Sequence, residues 1–129
     1  MSNTEQDVDE WARKLFAAID AMDADGFADF FADDGKFVFG SFPPADGKEA
    51  VSGFVAHFFS TLKSLSHKLV TINIAGGLRY IHFEVTYVVA DGQSVTIPGV
   101  ETVKMDGDLI SEYIIYLDPS PLQAIQASD

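Results

Sequence analysis

The sequence contains no cysteine. Disulfide staples, thiolate nucleophiles, Cys-ligated zinc and iron–sulfur clusters are therefore excluded. Basic residues are scarce: eight Lys and Arg stand against twenty Asp and Glu, a net charge of −12. Nucleic acids and anionic membranes are held by phosphate-neutralising Lys and Arg, so neither is expected as a partner. No apolar run reaches the roughly 20 residues of a membrane span. The stretch Met1 to Asp9 is polar and acidic, unlike a secretory leader. A cytoplasmic location is expected. There is no glycine-rich phosphate loop and no serine in a nucleophile elbow. The three histidines, His57, His67 and His82, lack the short spacings of metal ligands. Neither a metal nor a cofactor is expected.

What the chain does have is apolar and aromatic bulk. Its 129 residues are 47% apolar and include eleven Phe, four Tyr and one Trp, enough for one well-filled core. One domain is expected over 1–129, with its core about 8–122. Residues 1–34 hold ten acids and two bases. That reads as a solvated acidic face, with docking to a basic partner as the alternative.

Hydrophobic spacing divides the chain in two. Val8, Trp11, Ala12, Leu15, Ile19 and Met22 predict an amphipathic helix over about 5–22. Phe27, Phe30 and Phe31 predict a short helix ending at Asp33-Asp34-Gly35, followed by a brief strand from Lys36 to Phe39. The segment from Gly40 to Gly47 predicts a loop. Val51, Phe54, Val55, Phe58 and Leu62 predict a third helix. After Ser64 the period becomes two. Strands are expected at His67–Ala75, Arg79–Ala90, Ser94–Met105 and Leu109–Leu117, with turns at Gly76-Gly77, Asp91-Gly92 and Asp106-Gly107. Disorder is expected only in residues 1–5 and after Leu122. The fold class is α+β: three N-terminal helices packed in the concave face of a curved antiparallel sheet. Such a cone suits a small apolar ligand.

Parity assigns the sheet faces. Glu101 shares the inward face with Ile97 and Gly99. A carboxyl in an apolar cone has its pKa raised, which suits a general acid or an anchoring donor; pairing with an exposed cross-strand base is the alternative. Gly99 leaves room for a ligand or a bulge. Tyr87 and Tyr113 face inward with Phe83 and Val85. Trp11, Phe16, Phe39, Phe54, Phe58, Phe83 and Tyr87 are core aromatics and candidate ligand contacts. His82 and Glu84 face outward with Tyr80, Thr86, Glu112, Ile114 and Tyr116. His57 lies off the apolar arc of its helix. Asp118-Pro119-Ser120-Pro121 is read as a chain-stopping turn.

The stretch Phe31-Ala32-Asp33-Asp34-Gly35, the helix opened by Gly47, and the hairpins ending in Tyr116-Leu117-Asp118-Pro119 resemble the nuclear transport factor 2-like superfamily. The SnoaL-like branch is the nearest likeness, over about Val8 to Leu122. The resemblance implies the cone fold and a homodimer through the outer sheet face. It does not fix an activity. Counting from Phe31, the base and tyrosine positions of ketosteroid isomerases fall on Phe39 and Leu15, which cannot move protons, so that activity is disfavoured. Their buried acid falls on Glu101. The Asp–His pair of the similar scytalone dehydratases and dehydrochlorinases falls on Asp20 and His67. In such a pair the imidazole takes a proton near neutral pH and the carboxylate fixes its tautomer. The expected function is small-molecule binding, extending to a cofactor-free lyase or isomerase acting on a small apolar carbonyl compound. His67 would be the base, Asp20 its orienter, and Glu101 and Tyr113 acid or anchor. The alternative is a non-catalytic binding module or dimeric interaction domain.

Overall fold

Thr4 begins the first helix: its hydroxyl oxygen accepts from the Asp7 backbone N–H at 3.2 Å. Helix α1 (Glu5–Asp20) buries Val8, Ala12, Leu15, Phe16 and Ile19 as one stripe. It stops in a Schellman-type turn. The Asp23 N–H donates to the Ala18 carbonyl at 3.0 Å and the Met22 N–H to that of Ile19 at 2.8 Å. Met22 supplies the left-handed residue this turn needs, at φ 57°. Asp23 then caps α2 (Ala24–Ala28) through the Gly26 N–H.

The computed structural model describes residues 4–127. Two helices and six strands follow α2: β1 (Phe31–Phe39), β2 (Ala45–Asp46), α3 (Lys48–Ser60), β3 (Ser64–Ala75), β4 (Leu78–Val88), β5 (Ser94–Asp106), β6 (Leu109–Tyr116) and α4 (Ser120–Ala127). The strands form one open sheet in the order β2-β1-β6-β5-β4-β3. The architecture is α+β, as the period switch predicts. The inward rows of β4 and β5 are buried: Ile81, Phe83, Val85 and Tyr87 on one, Ile97, Glu101 and Val103 on the other. Phe27 joins Phe31, Phe37 and Tyr113 in edge-on ring contacts of 5.2–5.7 Å over strands β1 and β6. Pairs of this kind contribute about 0.5–1.5 kcal/mol each beyond area burial.

Five expectations are corrected. Phe31 to Gly35 is not the end of a helix but the start of β1. Five steps along β1, Phe31 to Lys36, match two along β6, Ile110 to Glu112, so Asp33 and Asp34 loop out into water. Gly35 makes this approach possible: a Cβ there would lie 2.8 Å from the Ile110 carbonyl oxygen. The β1–β6 pairing is also parallel, whereas all the others are antiparallel. Within the expected loop, Ala45–Asp46 pairs with Lys36 and Phe37 as the edge strand β2. Beyond Leu122 the chain continues helix α4 as far as Ala127 rather than being disordered, residues 128–129 lie outside the described residues, and Leu122 itself is buried. Of the expected N-terminal disorder, residues 1–3 lie outside the described residues, while Thr4 and Glu5 are cap and first turn of α1.

Candidate active site

The Schellman turn that ends α1 leaves Asp20 as the last helical residue. A carboxylate there faces the negative end of the helix dipole, and the last turn holds no basic residue to offset it. The compensation comes from β3. The His67 backbone N–H donates to Asp20 Oδ2 at 3.0 Å, and the His67 ring Nδ1 lies 2.7 Å from Asp20 Oδ1. One carboxylate thus grips both the main chain and the ring of one histidine, 47 residues away in sequence. A carboxylate can only accept, so in the neutral ring the proton sits on Nδ1 and the lone pair on Nε2.

The imidazole is further fixed by rings. Phe16 stacks on it with centroids 4.7 Å apart and planes 17° apart, and Phe83 packs at 5.5 Å. The His67 side chain is 8% exposed and that of Asp20 28%. Asp20 therefore sits at the rim of the pair and His67 toward the interior.

His67 lines a narrow cavity within the cone, together with Ile19, Phe37, Phe39, Phe83, Tyr87, Glu101 and Tyr113 among others. Its volume is ≈ 30 Å³, room for about one water molecule. Glu101 lies in this wall fully buried, and its Oε2 has no hydrogen-bond partner among the described residues. Burial holds its carboxyl well above the usual carboxylate range. Burial, and then the neighbouring Glu101 charge, likewise push the Tyr87 phenol up, so it stays protonated. The register separates the ends of this wall. His67 pairs with Val85 of β4, whereas Glu101 pairs with Ile81, four residues along the same strand. That is about 13 Å of strand rise.

Asp20, His67, Glu101 and Tyr113 are thus joined through one cavity wall and its rim, and Phe39, Phe54, Phe58, Phe83 and Tyr87 line the same space. Three expected ligand contacts are placed elsewhere. Trp11 packs edge-on against Phe30 and lies under the Arg79 guanidinium, 4.5 Å from its ring centre. Phe16 backs the imidazole rather than lining the cavity. Gly99 makes room for a neighbouring ring and not for a ligand: a Cβ there would lie 2.6 Å from Phe83 Cζ. Parity gives the face of Gly99 but not which side chain crosses it.

Ile19, Phe27, Leu65, Phe59 and Ile115 also line the cavity. Their inward positions are implied by periodicity, but nothing local separates a wall residue from a core residue. Asp118 caps α4 by accepting from the Ser120 N–H at 3.0 Å, a bond that lowers its pKa. His57 and His82 are exposed, and neither lines the His67 cavity. Among the described residues no group of three or more His, Asp or Glu could hold a metal ion, and no helix is long and apolar enough to cross a membrane.

The model of the SnoaL-like domain family matches residues 12–113, and the chain belongs to that family. The same fold recurs in solved structures of low sequence identity. A hypothetical protein of ketosteroid isomerase-like fold from Catenulispora acidiphila, crystallised with trimethylamine, superposes with a TM-score of 0.81 at 18% identity, over 90% of this chain and 91% of that one. A Jannaschia protein assigned as a SnoaL-like polyketide cyclase gives 0.79 at 17%, over 100% and 97%. TerC, co-crystallised with polyporic acid, gives 0.79 at 14%, over 92% and 96%. The comparison with curated proteins finds no match.

Proposed function

We propose that this SnoaL-like protein binds a small, uncharged, mostly apolar carbonyl compound and moves a proton on it by acid–base catalysis. The reading rests on one observation above the others, the double grip of Asp20 on His67. A base must be held in one tautomer with its lone pair toward the substrate, and this arrangement does so without help from solvent. His67 Nε2 takes a proton from the carbon next to the carbonyl. Asp20 stabilises the imidazolium that forms. The negative charge passes to the substrate oxygen, where a protonated Glu101 can donate a hydrogen bond. Tyr113 or Tyr87 is a second donor. From the carbanion-like state, loss of a leaving group gives a lyase, and return of the proton to another carbon gives an isomerase. The chain's own residues supply base and acid for both routes. The relatives' polyketide cyclase assignment and polyporic acid complex agree with an oxygenated carbon-skeleton ligand.

The test is deuterium exchange at acidic C–H positions of a panel of ketones, followed by NMR in D2O. Exchange accelerated by the unmodified chain and abolished in His67→Ala is the expected result. Exchange that persists in His67→Ala overturns the assignment of the base. A second reading, a binding module without turnover, is favoured by the strand rise between His67 and Glu101 and by the nearly filled cavity. It predicts ligand binding unchanged by His67→Ala and no exchange at all.

We also propose a homodimer through the outer sheet face. Val100 and Tyr116 share a rung there with His82, Tyr80 stands one rung away, and these three apolar side chains are exposed.

A further inference from the structure

The inner cavity as it stands has room for about one water molecule, ≈ 30 Å³, but it does not stand alone. A second cavity of ≈ 270 Å³ opens between α3 and the C-terminal helix α4. Phe39, Phe54 and Phe58 line both spaces. A single layer of phenyl rings therefore separates the His67 chamber from the larger one. Phe54 and Phe58 are only partly buried, so their rings have room to turn.

The larger cavity has a definite chemistry. Its floor is apolar, with Phe39, Phe42, Phe54, Phe58 and Leu122. Its polar groups are His57, Thr61, Gln123 and Gln126, and no Asp, Glu, Lys or Arg lines it. In a chain of net charge −12, a pocket without Lys or Arg gives an anionic group no partner. The amides, the hydroxyl and the imidazole offer hydrogen-bond donors and acceptors instead. An apolar cavity of about 150 Å³ accepts benzene, so ≈ 270 Å³ accepts one substituted ring or two fused rings, and not a four-ring skeleton. The roof is tied down lightly. Gln126 Nε2 donates to Thr61 Oγ1 at 3.2 Å, and that hydroxyl donates to the Phe58 carbonyl at 2.7 Å.

We propose that the space beneath α4 is a second ligand compartment, which holds the uncharged one- or two-ring body of an elongated ligand while a small carbonyl head passes the Phe39–Phe54–Phe58 layer toward His67. The placement of the head rests on the proton-transfer reading above; the compartment itself does not. Length and neutrality, rather than a charged tag, then select the ligand, and α4 sets the upper size.

The probe is 6-propionyl-2-(dimethylamino)naphthalene, an uncharged two-ring ketone whose emission shifts to the blue in apolar surroundings. Titrated into the full chain, it is expected to bind with a blue shift. Gln123→Trp, a change at an exposed position on α4 that fills the compartment, is expected to weaken binding about tenfold, the loss that overpacking a fitted site produces. Methyl NMR of the unmodified chain gives a measurement free of folding effects: the probe should shift the Leu122 and Thr61 methyls. Absence of binding, binding indifferent to Gln123→Trp in a folded variant, or shifts confined to Val100 and Ile114 on the outer sheet would overturn the compartment. Probe binding at Leu122 without His67-dependent deuterium exchange sustains the compartment and refutes only the catalytic base.

Discussion

An aspartate in the last turn of a helix costs about 0.3–1 kcal/mol against the macrodipole. Asp20 bears that cost and recovers it through two bonds to His67. Asp20→Asn is expected to lower any proton-transfer rate by about 100-fold or more, because an amide can present its NH2 to Nδ1 and favour the wrong tautomer. Stability should change by less than about 1 kcal/mol, since the relieved dipole offsets the weaker bonds. Paired rate and urea-denaturation measurements check both halves. Glu101 makes a separate prediction. Its folded-state pKa is raised, so between the unfolded value and the folded one the native chain holds a proton that the unfolded chain has lost. Stability contributed below the ordinary carboxylate range is therefore lost as pH rises, with a slope of up to about 1.4 kcal/mol per pH unit. Glu101→Gln should remove that component, matching the parent in acid and exceeding it at neutral pH, as read from denaturation midpoints across pH. Through the family resemblance the positions of Asp20 and His67 are legible in the sequence, by counting from the Phe31–Gly35 stretch. The double grip is not, because no local pattern says which rotamer a flank residue adopts.

At the scale of elements, the alternation along β4 and β5 foretells which residues face the cone. It says nothing about how rings interlock across strands. Gly99 of β5 lies under Phe83 of β4, its register partner. Gly99→Ala is expected to destabilise the fold by about 1–3 kcal/mol through overpacking, seen as a lower urea midpoint with an unchanged denaturant slope. Pairing Gly99→Ala with Phe83→Leu should recover part of the loss. Helix α4 is foreshadowed by Pro121 in its first turn and by Leu122 and Ile125 three apart. The overlapping run Asp118-Pro119-Ser120-Pro121 gives an equally good local account as a turn, and only the apolar surface beneath Leu122 decides between them. The parallel contact of β1 with β6 is beyond local patterning altogether. It joins strands more than 70 residues apart, Phe31 to Ile110 at one end.

For the whole molecule, charge and sheet surface pull in opposite directions. Each chain carries −12, which repels a second copy, while Tyr80, Val100 and Tyr116 present apolar area that favours one. The proposed dimer should therefore tighten as salt screens the repulsion. Sedimentation velocity should show a dimer that Tyr116→Glu converts to a monomer without loss of fold. A parent chain that remains monomeric in high salt at micromolar concentration would end that proposal. Composition foretells the core, the acidity and the absence of thiol chemistry, because these depend on residue counts. Ligand identity depends on the shape of two small spaces, which counts do not carry.

The bond from the His67 main chain to Asp20 has one more consequence. That amide hydrogen is bound only while the end of α1 lies against the start of β3. Its exchange with solvent deuterium is therefore a clock for the opening of this corner. A single resonance, followed over time in the resting protein, reports the fraction of molecules whose histidine is in place, with no substrate needed.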